Sequence, residues 1–139
     1  MAARALRRSH LDLTQRPFIV IWEATRACQL ACRHCRAHAV PDRDPAELDG
    51  AAARRLMDQV LAFGSPPPFF VITGGDPFER PDLFELVAYG AEIGLPVAVS
   101  PSGTEALDRR NLTRLREAGC HAISLSLDGS DPTTHDDFR

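Results

Sequence analysis

Four short apolar runs, separated by segments with helical periodicity, restrict this chain more than any other feature of its sequence. The runs are Phe18-Ile19-Val20-Ile21-Trp22, Phe69-Phe70-Val71-Ile72-Thr73, Pro96-Val97-Ala98-Val99-Ser100 and Ala122-Ile123-Ser124-Leu125-Ser126-Leu127. Continuous apolar runs of this length suit buried strands of a parallel sheet. Between them, residues 49–63 carry Ala52, Leu56, Val60 and Phe63 on one stripe and stop at Gly64. Either Asp49 or Asp44, the latter followed by Pro45, can cap that helix. Residues 81–93 begin with Pro81 and stop at Gly94, and residues 108–118 begin at the N-cap candidate Asp108 and stop at Gly119. Leu107 and Leu112 are spaced for a hydrophobic staple there. The order βαβαβαβ demands a parallel α/β sheet with right-handed crossovers.

The first sixteen residues hold Arg4, Arg7, Arg8 and Arg16 but lack the apolar core of a secretion signal, so they are expected to form a tail, 1–16, ahead of a single domain, 17–139. No apolar run is long enough to span a bilayer, and a net charge of −3 gives no basic field for nucleic acid. Neither a membrane nor nucleic acid is an expected partner. The chain stops soon after the fourth run, although Asp131-Pro132 is placed to cap a further helix. The sheet is therefore expected to be incomplete.

Three of the four cysteines crowd into Cys28-Gln-Leu-Ala-Cys32-Arg-His-Cys35, directly after the first strand. A disulfide framework spreads its cysteines, whereas clustered cysteines without a secretion signal point to metal or redox chemistry in a reducing compartment such as the cytoplasm. Three chemistries fit. Three thiolates can hold three irons of a [4Fe–4S] cluster and leave the fourth open. Cys28, Cys32, Cys35 and His38 can form a Cys3His zinc staple. Cys32-x-x-Cys35 alone can act as a dithiol, leaving Cys28 without a role. Cys120, beside a helix end, reads as a core residue, and His121 and His135 read as surface or capping residues.

Polar, glycine-punctuated segments follow the other three strands: Thr73-Gly74-Gly75-Asp76-Pro77, Ser100-Pro101-Ser102-Gly103 and Ser126-Leu127-Asp128-Gly129. Each alone is an ordinary turn. Together they share the C-terminal strand edge with the cysteines, where active sites of parallel sheets gather. Gly74 and Gly75 are expected to let the backbone approach a ligand closely.

With these motifs the sequence resembles radical S-adenosylmethionine (radical SAM) enzymes over residues 17–139. Cys28-x3-Cys32-x2-Cys35 matches the family's cluster motif, and Gly74-Gly75-Asp76-Pro77 its Gly-Gly-Glu-Pro motif with Asp in place of Glu. Ser126-Leu127-Asp128-Gly129 matches the segment after its fourth strand. The stretch Arg16 to Cys28 resembles the branch with a C-terminal SPASM-type domain, which includes haem-maturation, mycofactocin and pyrroloquinoline quinone enzymes. The resemblance implies a partial (β/α)6 TIM-like barrel truncated after four strands, since six units need roughly 190 residues if eight need about 250. It implies a [4Fe–4S] cluster on Cys28, Cys32 and Cys35, and S-adenosylmethionine on the open iron. The backbone at Gly74, Gly75 and Asp76 would then receive the cofactor's amino group and Ser102 and Ser126 its carboxylate. Asp128 would face the ribose and His34 the adenine. Hydrogen abstraction would follow, with a low-potential donor of flavodoxin or ferredoxin type and a small-molecule, haem-precursor or peptide substrate.

Overall fold

The computed structural model describes residues 12–139, so the first eleven residues of the expected tail lie outside the described region. Residues 12–16 form a turn in which Asp12 accepts from the Thr14 amide at 2.9 Å, and Arg16 donates to the Ser65 carbonyl at 3.1 Å.

Four parallel strands lie in sequence order: β1 (Ile19–Thr25), β2 (Phe69–Gly74), β3 (Val97–Val99) and β4 (Ala122–Ile123). Helices α1 (Gly50–Leu61), α2 (Leu83–Glu92) and α3 (Arg109–Glu117) connect them, and a short α4 (Pro132–Asp136) follows β4. Strand and helix alternate as the apolar runs predict. The caps follow too. Asp49, not Asp44, caps α1 by accepting from the Ala52 amide at 2.7 Å. Asp108 and Asp131 cap α3 and α4 in the same way.

One sheet face carries Val20, Trp22 and Ala24, then Phe70 and Ile72, then Val97 and Val99. It packs against Met57 and Val60 of α1, Leu83, Leu86 and Val87 of α2, and Leu115 of α3. Area removed from water at these positions, at about 25 cal/mol per Å², is the main force joining the layers. Gly90 of α2 sits so close to β3 that a Cβ there would lie 2.2 Å from Val97 Cγ2. The opposite face, bearing Ile21, Val71 and Thr73, lines an open cavity.

Several boundaries differ from expectation. The α1 stripe is Ala53, Met57 and Val60, rotated by one position from the expected one, and Phe63 is exposed. A 3-10 turn, η1 (Pro77–Glu79), precedes α2, because Asp76 turns its carboxylate onto the Phe78 amide at 3.1 Å. The strand β4 holds two residues rather than six. Its partner β3 ends at Val99, and Pro101 just beyond lacks an amide to continue the ladder. Leu125 and Leu127 are exposed, as is Ile123 within the strand itself.

Candidate cluster and cofactor site

The C-terminal edge of the sheet is set by how β2 leaves β1. Gly75 N donates to Thr25 O at 2.8 Å, and Asp76 N to Ala27 O at 2.7 Å. A Cβ at Gly74 would fall 2.1 Å from Thr25 O, and one at Gly75 would fall 2.2 Å from Ala27 O. The close approach that the glycine pair permits is thus to the neighbouring strand. What remains for a ligand is the Gly75 carbonyl, which faces the Ser102 hydroxyl. Asp76 is fully buried and accepts from the Thr104 hydroxyl at 2.6 Å. Its carboxylate shapes the turn, and any contact it offers a cofactor comes from backbone.

Arg80 completes this frame. Its guanidinium is 2% exposed and donates to Ala24 O (3.0 Å), Leu48 O (3.1 Å) and Asp82 (2.8 and 3.0 Å). It lies 5.2 Å over the Trp22 ring. Nearby, Glu47 accepts from the Thr25 hydroxyl at 2.6 Å, the Arg26 amide at 3.2 Å and Arg43 at 2.8 Å. Burial works to raise its pKa, but these hydrogen bonds and the Arg43 charge outweigh it, and Glu47 lies below its usual value.

The loop after β1 folds back so that Cys28 N donates to Val40 O at 2.9 Å and Val40 N to Arg26 O at 2.9 Å. Cys28, Cys32 and Cys35 all line one cavity of about 200 Å³, together with Gly74, Gly75 and Ser102. Backbone amides already point at two of the sulfurs, Leu30 N at Cys28 Sγ (3.4 Å) and Ala39 N at Cys35 Sγ (3.3 Å). The Ser102 hydroxyl lies 3.5 Å from Cys28 Sγ. The two amide dipoles stabilise thiolate ligands, whereas the Ser102 oxygen accepts from the Cys28 thiol and its own hydrogen goes to the Gly75 carbonyl.

His34 lines this cavity and stacks on Phe138, with ring centroids 4.3 Å apart. Its Nε2 is 3.9 Å from Asp128 Oδ1. The Asp128 amide donates to His135 Nδ1 at 3.1 Å, so His135 of α4 holds the loop that leads into its own helix rather than capping a helix end. The Asp128 carboxylate pairs with Arg139 at 3.4 Å, and Arg139 also donates to the Ser102 carbonyl. Ser126 lines the neighbouring cavity on the open sheet face. The structure therefore gathers Cys28, Cys32, Cys35, His34, Gly74, Gly75 and Ser102 in one cavity. It sets Ser126 beside it, Asp128 behind His34, and Asp76 within the protein.

Three cysteines line the cavity, the number that ties three irons of a [4Fe–4S] cluster and leaves the fourth open. One tetrahedral zinc with bonds of about 2.3 Å needs its sulfurs about 3.8 Å apart. Among the described residues, no three His, Cys, Asp or Glu side chains converge on one such point. A corner-sharing cubane spreads its thiolates further. His38, the fourth ligand of the zinc reading, is exposed, has a positive φ of 48° and does not line the cavity. Cys120 donates to Ala122 O at 3.2 Å far along the sheet, and burial pushes its thiol pKa up, as suits a packing residue.

The profile of the Radical SAM superfamily matches residues 22–139. The chain belongs to the radical SAM superfamily. An AdoMet-dependent heme synthase from Oleidesulfovibrio alaskensis is 42% identical over 121 residues, covering 87% of this chain and 30% of that enzyme. An Fe-coproporphyrin III synthase from Methanosarcina barkeri is 40% identical over 121 residues, covering 87% of this chain and 29% of that enzyme. This radical SAM chain thus spans about a third of the length of such relatives. A crystal structure of methylornithine synthase superposes with a TM-score of 0.67 at 23% identity, covering 90% of this chain and 37% of that one. The fold is accordingly a part of the radical SAM barrel, and the cofactors of the superfamily are a [4Fe–4S] cluster and S-adenosylmethionine.

Sequence reasoning missed Arg36 and Arg139, which line both cavities, and the frame residues Arg80, Thr104 and Glu47. Arg36 was open to discovery, since it directly follows the last clustered cysteine. The others act through contacts distant in sequence, which no local pattern announces.

Proposed function

We propose that this chain supplies the cluster- and cofactor-binding part of a radical SAM enzyme that acts on a haem precursor. The observation that carries the first half is the single cavity lined by Cys28, Cys32, Cys35, Gly75 and Ser102. The names of the relatives at 40% identity and above support the second half.

In this reading Cys28, Cys32 and Cys35 hold the cluster, and Leu30 N and Ala39 N steady two of its sulfurs. The Gly75 carbonyl would accept from the cofactor's amino group, which frees the Ser102 hydroxyl to donate, with Ser126, to the cofactor's carboxylate. Asp128 faces the ribose, and His34, held by Phe138, borders the adenine. When bound, the cluster and cofactor supply reductive cleavage of the S–C5′ bond to a 5′-deoxyadenosyl radical for hydrogen abstraction. The chain's own contribution is positioning. The Gly75 carbonyl is fixed by two flanking backbone bonds, one to Thr25 at the end of β1 and one to Ala27 just beyond it, and the Ser102 hydroxyl lies between that carbonyl and Cys28. The electron donor is a low-potential protein of flavodoxin or ferredoxin type, suited to the negative end of cluster potentials. No helix among the described residues is long and apolar enough to cross a membrane, and a cytoplasmic location fits the free thiols.

The test is anaerobic iron–sulfide reconstitution of the full-length chain, followed by EPR of the reduced protein with and without S-adenosylmethionine. A [4Fe–4S] signal that shifts on adding the cofactor is expected, and Cys28→Ala, Cys32→Ala and Cys35→Ala each abolish it. Tight stoichiometric zinc with no cluster would overturn the reading.

A further inference from the structure

Beside the thiol cavity lies a second one, about 320 Å³, on the open face of the sheet. Its floor is apolar, from Ile21 and Val71, and its wall carries hydroxyls such as Thr73 and Ser124. Arg36 and Arg139 line both cavities and so stand where the two meet. An apolar floor, a hydroxyl wall and a cationic mouth complement one class of ligand, an apolar body bearing a carboxylate.

The two guanidinium groups differ in how firmly they are held. Arg139 is tied to Asp128 and to the Ser102 carbonyl, and its side chain is 15% exposed. Arg36 is met, among the described residues, by Glu23 alone, with Nη2 and Oε1 2.5 Å apart. Glu23 lies two residues beyond Ile21 on the same face of β1. Both partners are accessible, Arg36 at 79% and Glu23 at 39%. An ion pair this exposed gains little over its separated, solvated charges. Glu23 therefore keeps Arg36 turned toward the cavities without locking it, and another carboxylate can take its place.

We infer that Arg36 anchors a carboxylate of the substrate in the cavity floored by Ile21 and Val71, with Glu23 as its internal placeholder. This rests on the radical SAM reading above and names the substrate chemistry of that same site. It sets the substrate body over Ile21 and Val71, with Gly75, Ser102 and Ser126 left at the cavity's other side for the cofactor proposed to sit there. A carboxylate on Arg36 has one other source, the carboxylate of S-adenosylmethionine itself, and the experiment separates the two.

Full-length protein with its reconstituted cluster is titrated with Fe-coproporphyrin III, followed by Soret absorbance, and with the methyl ester of that porphyrin as the uncharged control. The cofactor is titrated separately by its effect on the reduced-cluster EPR signal. Arg36→Gln is expected to weaken porphyrin binding by roughly tenfold, the cost of one charge-assisted pair, and to leave the cofactor titration in place. Arg36→Lys recovers part of the loss. Glu23→Gln, which removes the competitor, tightens binding. The methyl ester binds wild type and Arg36→Gln alike. Porphyrin binding that is absent in wild type or unchanged in Arg36→Gln overturns the inference. So does a loss confined to the cofactor titration, which would assign Arg36 to the cofactor's carboxylate. If the cofactor fails to perturb the wild-type cluster, the radical SAM reading itself fails, a distinct result.

Discussion

The β1–β2 edge and the segment from β4 through α4 to Arg139 both reach the thiol cavity, the second through Arg139, but different interactions hold them there. At β1–β2, backbone holds backbone: Gly75 donates to the end of β1 and Asp76 to Ala27 just beyond it, Gly74 and Gly75 admit no Cβ, and a buried arginine ties η1 and the α1 entrance to Ala24. At β4–α4, side chains hold loops. The ladder stops at Ile123, and the Asp128 loop is kept near the cysteines by Arg139, by His135 and by Phe138 on His34. The first arrangement sets a few atoms rigidly at high cost if disturbed. The second tolerates change, because each contact is partly exposed and individually weak.

The largest expected effect breaks the first region directly. Gly75→Ala places a methyl 2.2 Å from Ala27 O, and backbone cannot yield as a flexible side chain does. The strands must separate at the site, with an expected loss of about 4 kcal/mol or outright failure to fold. A urea unfolding midpoint measures it, and a midpoint near wild type would show that the β1–β2 edge is not rigid.

Arg80→Met comes next. It removes a charge but leaves the Ala24 and Leu48 carbonyls without their donor and Asp82 without its partner. An unsatisfied buried acceptor costs about 1–3 kcal/mol; the Ala24 carbonyl is buried and the other two acceptors only partly so, so a total of about 3 kcal/mol is expected by the same assay. Thr104→Val, which strips the donor from buried Asp76, should cost less, about 1–2 kcal/mol.

How much of this was legible in the sequence follows the same division. The strands and helices, their caps at Asp49, Asp108 and Asp131, and the common edge for cysteines and glycines came from local pattern, because periodicity and capping chemistry act over a few residues. The glycine pair was seen but its reason was not, since its neighbour is Thr25–Ala27, nearly fifty residues earlier. Arg80 reads as a surface residue in sequence, and only the fold makes its burial evident. The shortness of β4 was hidden for a related reason. Ile123, Leu125 and Leu127 alternate as a strand should, but a strand needs a partner, and Pro101 ends the partner's ladder.

Phe138→Ala sharpens the comparison from the weaker side. It removes the stack on His34, while the 3.2 Å hydrogen bond from Arg33 N to residue 138's carbonyl can persist. A stacked aromatic pair is worth about 0.5–1.5 kcal/mol, so global stability should barely move. Hydrogen exchange at the amides of residues 31–35 is the better measurement. Faster exchange there, with core strands unchanged, is expected. Unchanged exchange would mean that the β4–α4 segment does not brace the cysteine loop.

The smallest expected effect tests where the two modes of support meet. Glu47 is a side chain, yet it braces the β1 end through the Thr25 hydroxyl and the Arg26 amide. Its folded-state pKa lies below the ordinary 4.5, because those hydrogen bonds and Arg43 favour the charged form more than burial opposes it. A carboxylate depressed on folding adds stability that is full above the unfolded value and lost as pH falls through the folded one. The loss should therefore begin as pH drops below about 4.5, while near neutrality no slope is expected from this group. Glu47→Gln removes that acid-side slope and can still accept from Thr25. Urea midpoints for both proteins between neutrality and the acid limb make the comparison. Parallel curves would show that Thr25 and Arg26 are held by the β1–β2 backbone alone. Curves that converge in acid would show that even the rigid side of the site depends on one charged side chain at its edge.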